Sequence, residues 1–202
     1  MTLQNRVTPF GDIVAVPERG TMMGNRGILH DACRRLGRRR WAHKAWICCL
    51  TEFRARKRQI MAPGHYTELF FLDEAVALAA GHRPCFECRR AAALAYAASW
   101  GGNPRAREMD RVLHAERLDG RRQRLYHCEA AALPDGAFMV REGAAWLIQG
   151  PLLLRYTPAG YDIVAQRPTG LVETLTPPAT LRALRAGYTP QLHPSVTALF
   201  VL

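Results

Sequence analysis

Lysine is almost missing from this chain: Lys44 and Lys57 are its only two, and every other base is arginine. Acids are missing as well from one long stretch, residues 32–51. Codon usage that favours arginine explains the first absence but not the second. From Arg26 to Arg58 eleven bases stand against two acids, Asp31 and Glu52, a local balance of +9. Residues 105–124 hold seven bases and four acids, and residues 125–202 hold five of each. Most of the net charge of +11 therefore sits in the N-terminal 124 residues. Arginine offers a planar fork that matches phosphate and stacks on bases. A positive field concentrated in this way favours a polyanion, with binding that weakens steeply in salt.

No stretch has the ~20 continuous apolar residues of a membrane span. The start, MTLQNRVTPFGDIVAVPERG, lacks the basic head and apolar run of a secretory signal. The expected compartment is therefore the cytoplasm, and the six cysteines (33, 48, 49, 85, 88 and 128) are expected as reduced thiols. In that setting a close cysteine pair points to a metal rather than a disulfide.

Turn formers dominate residues 1–29, which read as an extended arm with one short strand at 12–16. A short helix is expected over 28–36, closed by Gly37, then a buried strand over 41–53 flanked by positive charge. A second strand is expected over 59–61. Leu69, Phe70 and Phe71 form an apolar strand, and Asp73 and Glu74 open a helix that Gly81 stops. Helices follow over 85–100 and 105–118. After Leu133, Gly and Pro punctuate apolar runs of about five to eight residues, the pattern of an antiparallel meander or small barrel. A last helix is expected over 179–186, ended by Gly187. The fold class is thus α+β: an extended arm (1–29), a basic zinc-binding α/β part (30–124), and a small mainly-β part with a short C-terminal helix (125–202).

The chemistry concentrates at Cys85-Phe86-Glu87-Cys88. Two thiols three positions apart, at the expected start of a helix, are stabilised as thiolates by unpaired backbone N–H groups. A tetrahedral Zn2+ site needs two further ligands. Residues 50–84 hold no cysteine, and of their two histidines, His65 and His82, His65 is the candidate ligand. The remaining candidates are Cys49 or its neighbour Cys48, His65 and His114. Adjacent strand residues face opposite sides, so one of Cys48 and Cys49 at most reaches the metal.

The stretch Phe70-Phe71-Leu72-Asp73-Glu74-Ala75 through Gly81-His82-Arg83-Pro84-Cys85-Phe86-Glu87-Cys88-Arg89 resembles the second half of the Ada-type zinc-binding domain of bacterial alkylation-repair proteins. The resemblance implies two of four zinc cysteines and a grip on the DNA backbone. It covers roughly twenty residues. His82 replaces the usual aromatic, and the family's upstream C-x3-C pair is absent, so its methyl-accepting cysteine is not carried over.

A rival reading joins Pro84-Cys85-x-x-Cys88 to His114-Ala115-Glu116. Zinc deaminases use such pieces, with His114 as ligand and Glu116 as general acid/base, although here their order is reversed. Around the basic window, Arg34, Arg35, Arg38, Arg39, Arg40, Lys44, Arg54, Arg56, Lys57 and Arg58 form the expected nucleic-acid surface. Trp41 is the aromatic there expected to be exposed, and Trp46 is expected in the core. The chain thus reads as a zinc-containing nucleic-acid-binding protein of DNA repair or processing, with DNA favoured over RNA. The alternative is a zinc-dependent hydrolase or deaminase acting on nucleic acid.

Overall fold

The computed structural model describes residues 2–55 and 59–201. Short strands open the chain. β1 (Arg6–Val7) turns through a Thr8–Gly11 hydrogen bond into the antiparallel β2 (Ile13–Val14). β3 (Met22–Asn25), β4 (Ile47–Leu50) and β5 (Leu69–Phe71) follow, then α1 (Glu74–Ala79) and β6 (Arg83–Pro84). Together these strands form one mixed sheet in the order β2-β1-β5-β3-β4-β6, in which β1/β5 and β4/β6 are parallel. Residues 1–29 are therefore not a free arm. They supply three strands and bury Val7, Ile13 and Met22 in the core, because alternate apolar residues at those positions match the pleat.

Three local expectations yield to tertiary contacts. Residues 28–36 form turns, not a helix. Asp31 Oδ1 accepts the N–H groups of Cys33 and Arg35, the His30 ring reaches Thr67 Oγ1 at 2.7 Å, and Arg34 takes a φ of 59°. Such side-chain-to-backbone bonds compete with helical ones. The strand expected over 41–53 shrinks to β4, since Trp46 turns back on the carbonyls of His43 and Lys44. Residues 60 and 61 are in a turn, with Met61 at φ 56°.

α1 fits its expected bounds. Asp73 caps it by accepting the Val76 N–H at 2.9 Å, and Gly81 leaves it at φ 79°. A side chain at Gly81 would also meet Arg117, whose Cδ lies 2.5 Å from an ideal Cβ. α2 (Arg90–Ala98) starts five residues later than expected, and α3 (Ala106–Arg117) matches within one residue at each end.

The C-terminal half begins with the small hairpin β7 (Leu118–Asp119) and β8 (Arg122–Gln123). β9 (Tyr126–Glu129), β10 (Phe138–Arg141), β11 (Ala144–Gln149), β12 (Leu152–Thr157), β13 (Gly160–Gln166) and β14 (Leu171–Thr174) make a second six-stranded sheet, wholly antiparallel. β10 to β13 are the expected meander. The barrel does not form: the sheet stays open, with β13 and β9 at its edges. α4 (Pro178–Arg185) and α5 (Ser195–Ala198) complete the chain.

The second sheet is buried on both faces. Phe138, Ala145, Leu147 and Leu154 point into one apolar cluster, shared with α1 and with Val7, Met22 and Phe71 of the first sheet. Their alternates Met139, Trp146, Ile148 and Leu153 enter another, shared with Tyr96, Met109 and Leu181. The sheet is thus a middle layer, and residues from both halves of the chain share each core. α1 lies between the two sheets with all six residues buried. Among the described residues no helix is long and apolar enough to cross a membrane.

Candidate metal centre and its basic surroundings

β4 and β6 build the metal centre through their register. Ile47 pairs with Arg83 and Cys48 with Pro84, so the next step sets Cys85 beside Cys49, and the Cys85 N–H donates to the Cys48 carbonyl at 2.9 Å. β6 is an edge strand. Arg83 and Cys85 turn their N–H groups toward β4, and the intervening Pro84 needs none. Cys48 and Cys49 face opposite sides, as the pleat requires. Cys48 is fully buried against Arg89, whereas Cys49 joins Cys85 and Cys88 with all three sulfurs within 4.8 Å of one another.

Cys85 and Cys88 lie in a turn before α2, not in its first helical turn. The turn itself supplies the N–H groups. Cys85 Sγ accepts the Glu87 N–H at 3.4 Å, and the Cys88 and Leu50 N–H groups lie close enough to favour the thiolates of Cys85 and Cys88 respectively. Donation from Cys49 pulls the Cys85 and Cys88 thiols down, and the same bonds together with burial push Cys49 up. Three sulfurs this close mark a position that a soft divalent cation fits, since it would bond all three thiolates at once and offset two of their three charges. Three cysteines, backbone N–H groups near two of the sulfurs and a rigid strand pair suit a metal ion.

Neither His65 nor His114 is part of this group, and among the described residues no fourth His, Cys, Asp or Glu joins it. His65 is exposed beyond Gly64. His114 lies on α3, its Nδ1 2.9 Å from an Arg117 nitrogen and its ring against Trp41. Glu116 has a structural role. Its Oε2 accepts the Ala179 N–H at 2.7 Å near the start of α4, and its carbonyl accepts the Tyr126 hydroxyl. A carboxylate at a helix N-terminus is held there by unpaired N–H groups and the dipole. Cys49, Cys85 and Cys88 thus come together, and the His-x-Glu pair does not join them.

The cluster opens onto a cavity of about 840 Å³ over the exposed face of the first sheet. Met23, Cys49 and Phe70 form one row of its floor, and Asn25, Ile47 and Glu68 the next. Glu68 is buried, with Oε2 on the Met61 N–H at 2.7 Å and Oε1 without a partner among the described residues. Behind the cluster, Arg89 forms a two-pronged ion pair with Glu74 (2.6 and 2.7 Å), and Arg83 forms another with Asp110 (2.8 and 2.9 Å). These pairs fix α1 and α3 to the segment that carries the sulfurs.

Of the expected nucleic-acid residues, Arg34, Arg35, Arg38, Arg39, Lys44 and Arg54 are exposed and Arg40 is half-buried. None forms an ion pair among the described residues. Arg56, Lys57 and Arg58 lie outside the described residues. Trp46 is buried as expected, and Trp41 is half-buried.

Sequence reasoning missed a second centre around Trp46. Arg26 and Arg117, both 2% exposed, place their guanidinium carbons 3.9 and 3.6 Å from the indole. His82 stands beside them, its ring 5.2 Å from Trp46 and its Nε2 accepting from Arg26 Nε at 3.3 Å. No local signal marked these residues, which are drawn together from positions 26, 46, 82 and 117.

Burial, with Arg26 and Arg117 alongside, holds His82 well below the ordinary histidine value. The unfolded chain takes up a proton near pH 6.5 that the fold refuses, so His82 subtracts stability as pH falls through that value. The loss approaches about 1.4 kcal/mol per pH unit below it. His82→Phe keeps an aromatic ring at this position. Denaturant titrations at several pH values should show the wild type losing stability relative to this variant on acidification. Parallel curves would mean that His82 titrates normally.

The resemblance of residues 70–89 to the Ada-type domain rests on those residues alone: compared with known proteins, the chain matches no family model, no curated protein and no solved structure at a significant level.

Proposed function

We propose that the chain is a zinc-containing nucleic-acid-binding protein acting in DNA repair or processing. The observation that carries this reading is the pairing of a three-cysteine cluster with an exposed arginine segment that has no carboxylate partner among the described residues, both borne by β4 and the segments around it. Zinc is the metal of choice for three thiols in a cell that keeps cysteines reduced. Cys49, Cys85 and Cys88 hold it, and zinc there fixes the turn before α2 against the first sheet. The arginines hold phosphates.

Binding of short DNA duplexes should weaken with salt, because each neutralised phosphate releases counterions. Removing two phosphate contacts with Arg38→Ala/Arg39→Ala should reduce the slope of log K against log salt by about two. Arg182→Ala/Arg185→Ala on α4 removes the same charge from an exposed face elsewhere. Fluorescence anisotropy compares the two variants. If the α4 variant loses as much as the loop variant, the binding is charge alone and the reading fails.

A second reading is favoured by the cavity against the cluster. Three protein ligands leave one position of a tetrahedral zinc for water or substrate. About 840 Å³ accommodates a nucleotide-sized ligand. Bound zinc would supply Lewis acidity there, and Glu68, the buried carboxylate among the three (with Glu52 and Glu87) that line the cavity, replaces Glu116, which does not line it. Under this reading Glu68→Gln abolishes hydrolysis or deamination of a nucleic-acid substrate without loss of zinc, and turnover that persists in Glu68→Gln rules it out.

A further inference from the structure

The Arg26–Arg117 centre opens into a cavity of about 300 Å³, separate from the one beside the cysteines. Two guanidinium groups at its base are buried, and among the described residues no carboxylate is bonded to either. Their existing bonds go to neutral acceptors: Arg26 to the Gly11 carbonyl and His82, Arg117 to the carbonyls of Gly81 and Lys44 and to the His114 ring. Arg26 Nη2 and Arg117 Nε are buried with no partner among the described residues. Burial pushes Arg26 down to about 9 and Arg117 down to about 8. Stacking on Trp46 offsets part of the cost of burying these two cations, and an anion would relieve the rest. Arg40, Arg121 and Arg122 stand around the same cavity against a single acid, Asp12.

We propose that this cavity binds a phosphate monoester, supplied by the phosphorylated end of a nucleic-acid strand. The one unpartnered nitrogen on each guanidinium, Arg26 Nη2 and Arg117 Nε, is a charge-assisted donor that suits a phosphate oxygen. A phosphodiester within a strand has chain on both sides and one charge, and cannot bring its oxygens down to groups 2% exposed. A terminal monoester has one arm, and close to two negative charges near neutral pH. The arginine segment continues from the cavity: Arg40 lines it, and Arg121 at its mouth donates to the Arg38 carbonyl. Half-buried Trp41, also in the wall, offers a ring against the terminal base or sugar. The choice of a strand as the source rests on the nucleic-acid reading above; the need for an anion does not.

The test uses the whole chain with short single-stranded oligonucleotides of one sequence, ending in a 5′-phosphate, a 3′-phosphate or hydroxyls only, at constant ionic strength. One phosphorylated end should bind about tenfold tighter than the hydroxyl form, the effect of one or two charge-assisted hydrogen bonds. The preference should collapse in the exposed mouth variant Arg121→Ala/Arg122→Ala and survive in Arg38→Ala/Arg39→Ala, where all three oligonucleotides weaken together. Equal affinities for the three ends overturn the proposal and leave general nucleic-acid binding standing. A nucleoside monophosphate that raises the melting temperature while none of the oligonucleotides binds would overturn the strand as the source, and the nucleic-acid reading with it.

Discussion

Cys49→Ser should purify with far less than one zinc per chain, whereas Cys48→Ala, one residue away, should keep its full complement. The contrast follows from the pleat. Cys49 shares its face with Cys85 and Cys88, and Cys48 lies on the other side beside Arg89. Each sulfur supplies one bond at ~2.3 Å in a zinc–thiolate site, so X-ray absorption at the zinc edge should report about three sulfurs and one lighter atom. Loss of one of three thiolates would remove much of the affinity, and because an ion held there would clamp β4 to the turn that joins β6 to α2, metal binding free energy would become folding free energy. The apo protein and Cys49→Ser should therefore unfold at lower denaturant than the wild type, by several kcal/mol, a fraction of the ~10 kcal/mol of a finger that depends on zinc entirely. The apolar cores span both sheets and should hold the remainder of the fold. Elemental analysis of the three proteins, expressed together with zinc in the medium, decides the matter. A Cys49→Ser protein that retains stoichiometric zinc would remove this cluster as the site.

The parts of this architecture that could be read along the chain are those whose causes are local. α1 is announced by Asp73 and Glu74 at its head and Gly81 at its tail, and the structure uses all three as read. The meander is announced by its glycines; Gly143 and Gly150 take φ values of 73° and 57° at the turns beside β11. The Cys85–Cys88 pair was legible from spacing, and strand alternation limited the third sulfur to one of Cys48 and Cys49 without choosing between them. What was not legible depends on pairing across the fold. The turn at 28–36 replaces a helix because His30 finds Thr67, thirty-seven residues on. Glu116 looks like a catalytic acid in His-x-Glu until α4 arrives sixty-three residues later to use it as a cap. Arg26 and Arg117 look like ordinary surface cations, and nothing nearby in sequence says that Trp46 will take both into the interior. Periodicity cannot forecast such a site, because each residue in it has an unremarkable neighbourhood of its own.

Arg89→Met should be among the most damaging single changes outside the sulfur cluster, costing about 3–5 kcal/mol, the usual loss when one partner of a buried ion pair is removed. Glu74 is 1% exposed and its carboxylate is fully engaged. Arg89 supplies two bonds, the Tyr188 hydroxyl donates to Oε1 at 2.5 Å, and the Gln191 N–H donates to Oε2 at 2.9 Å. Burial alone would lower Arg89, but the Glu74 bonds carry it upward, so the guanidinium stays charged. Removing the guanidinium strands a carboxylate between α1, the head of α2 and the C-terminal segment. Glu74→Gln strands the cation instead. The double variant Glu74→Gln/Arg89→Met leaves neither charge buried, and Gln still accepts from Tyr188. Its cost should therefore fall below that of Arg89→Met alone, a non-additivity that denaturant midpoints on four proteins measure directly. The same pair also ties down the residue that follows Cys88. Outer partners that orient a metal ligand typically account for ten- to a hundredfold in affinity, so Glu74→Gln should weaken zinc binding by about that factor, measured by competition with a chelator. If zinc affinity stays at the wild-type value while stability falls, the pair supports the helices alone. Strictly additive costs would show instead that Glu74 and Arg89 stabilise the fold through separate contacts.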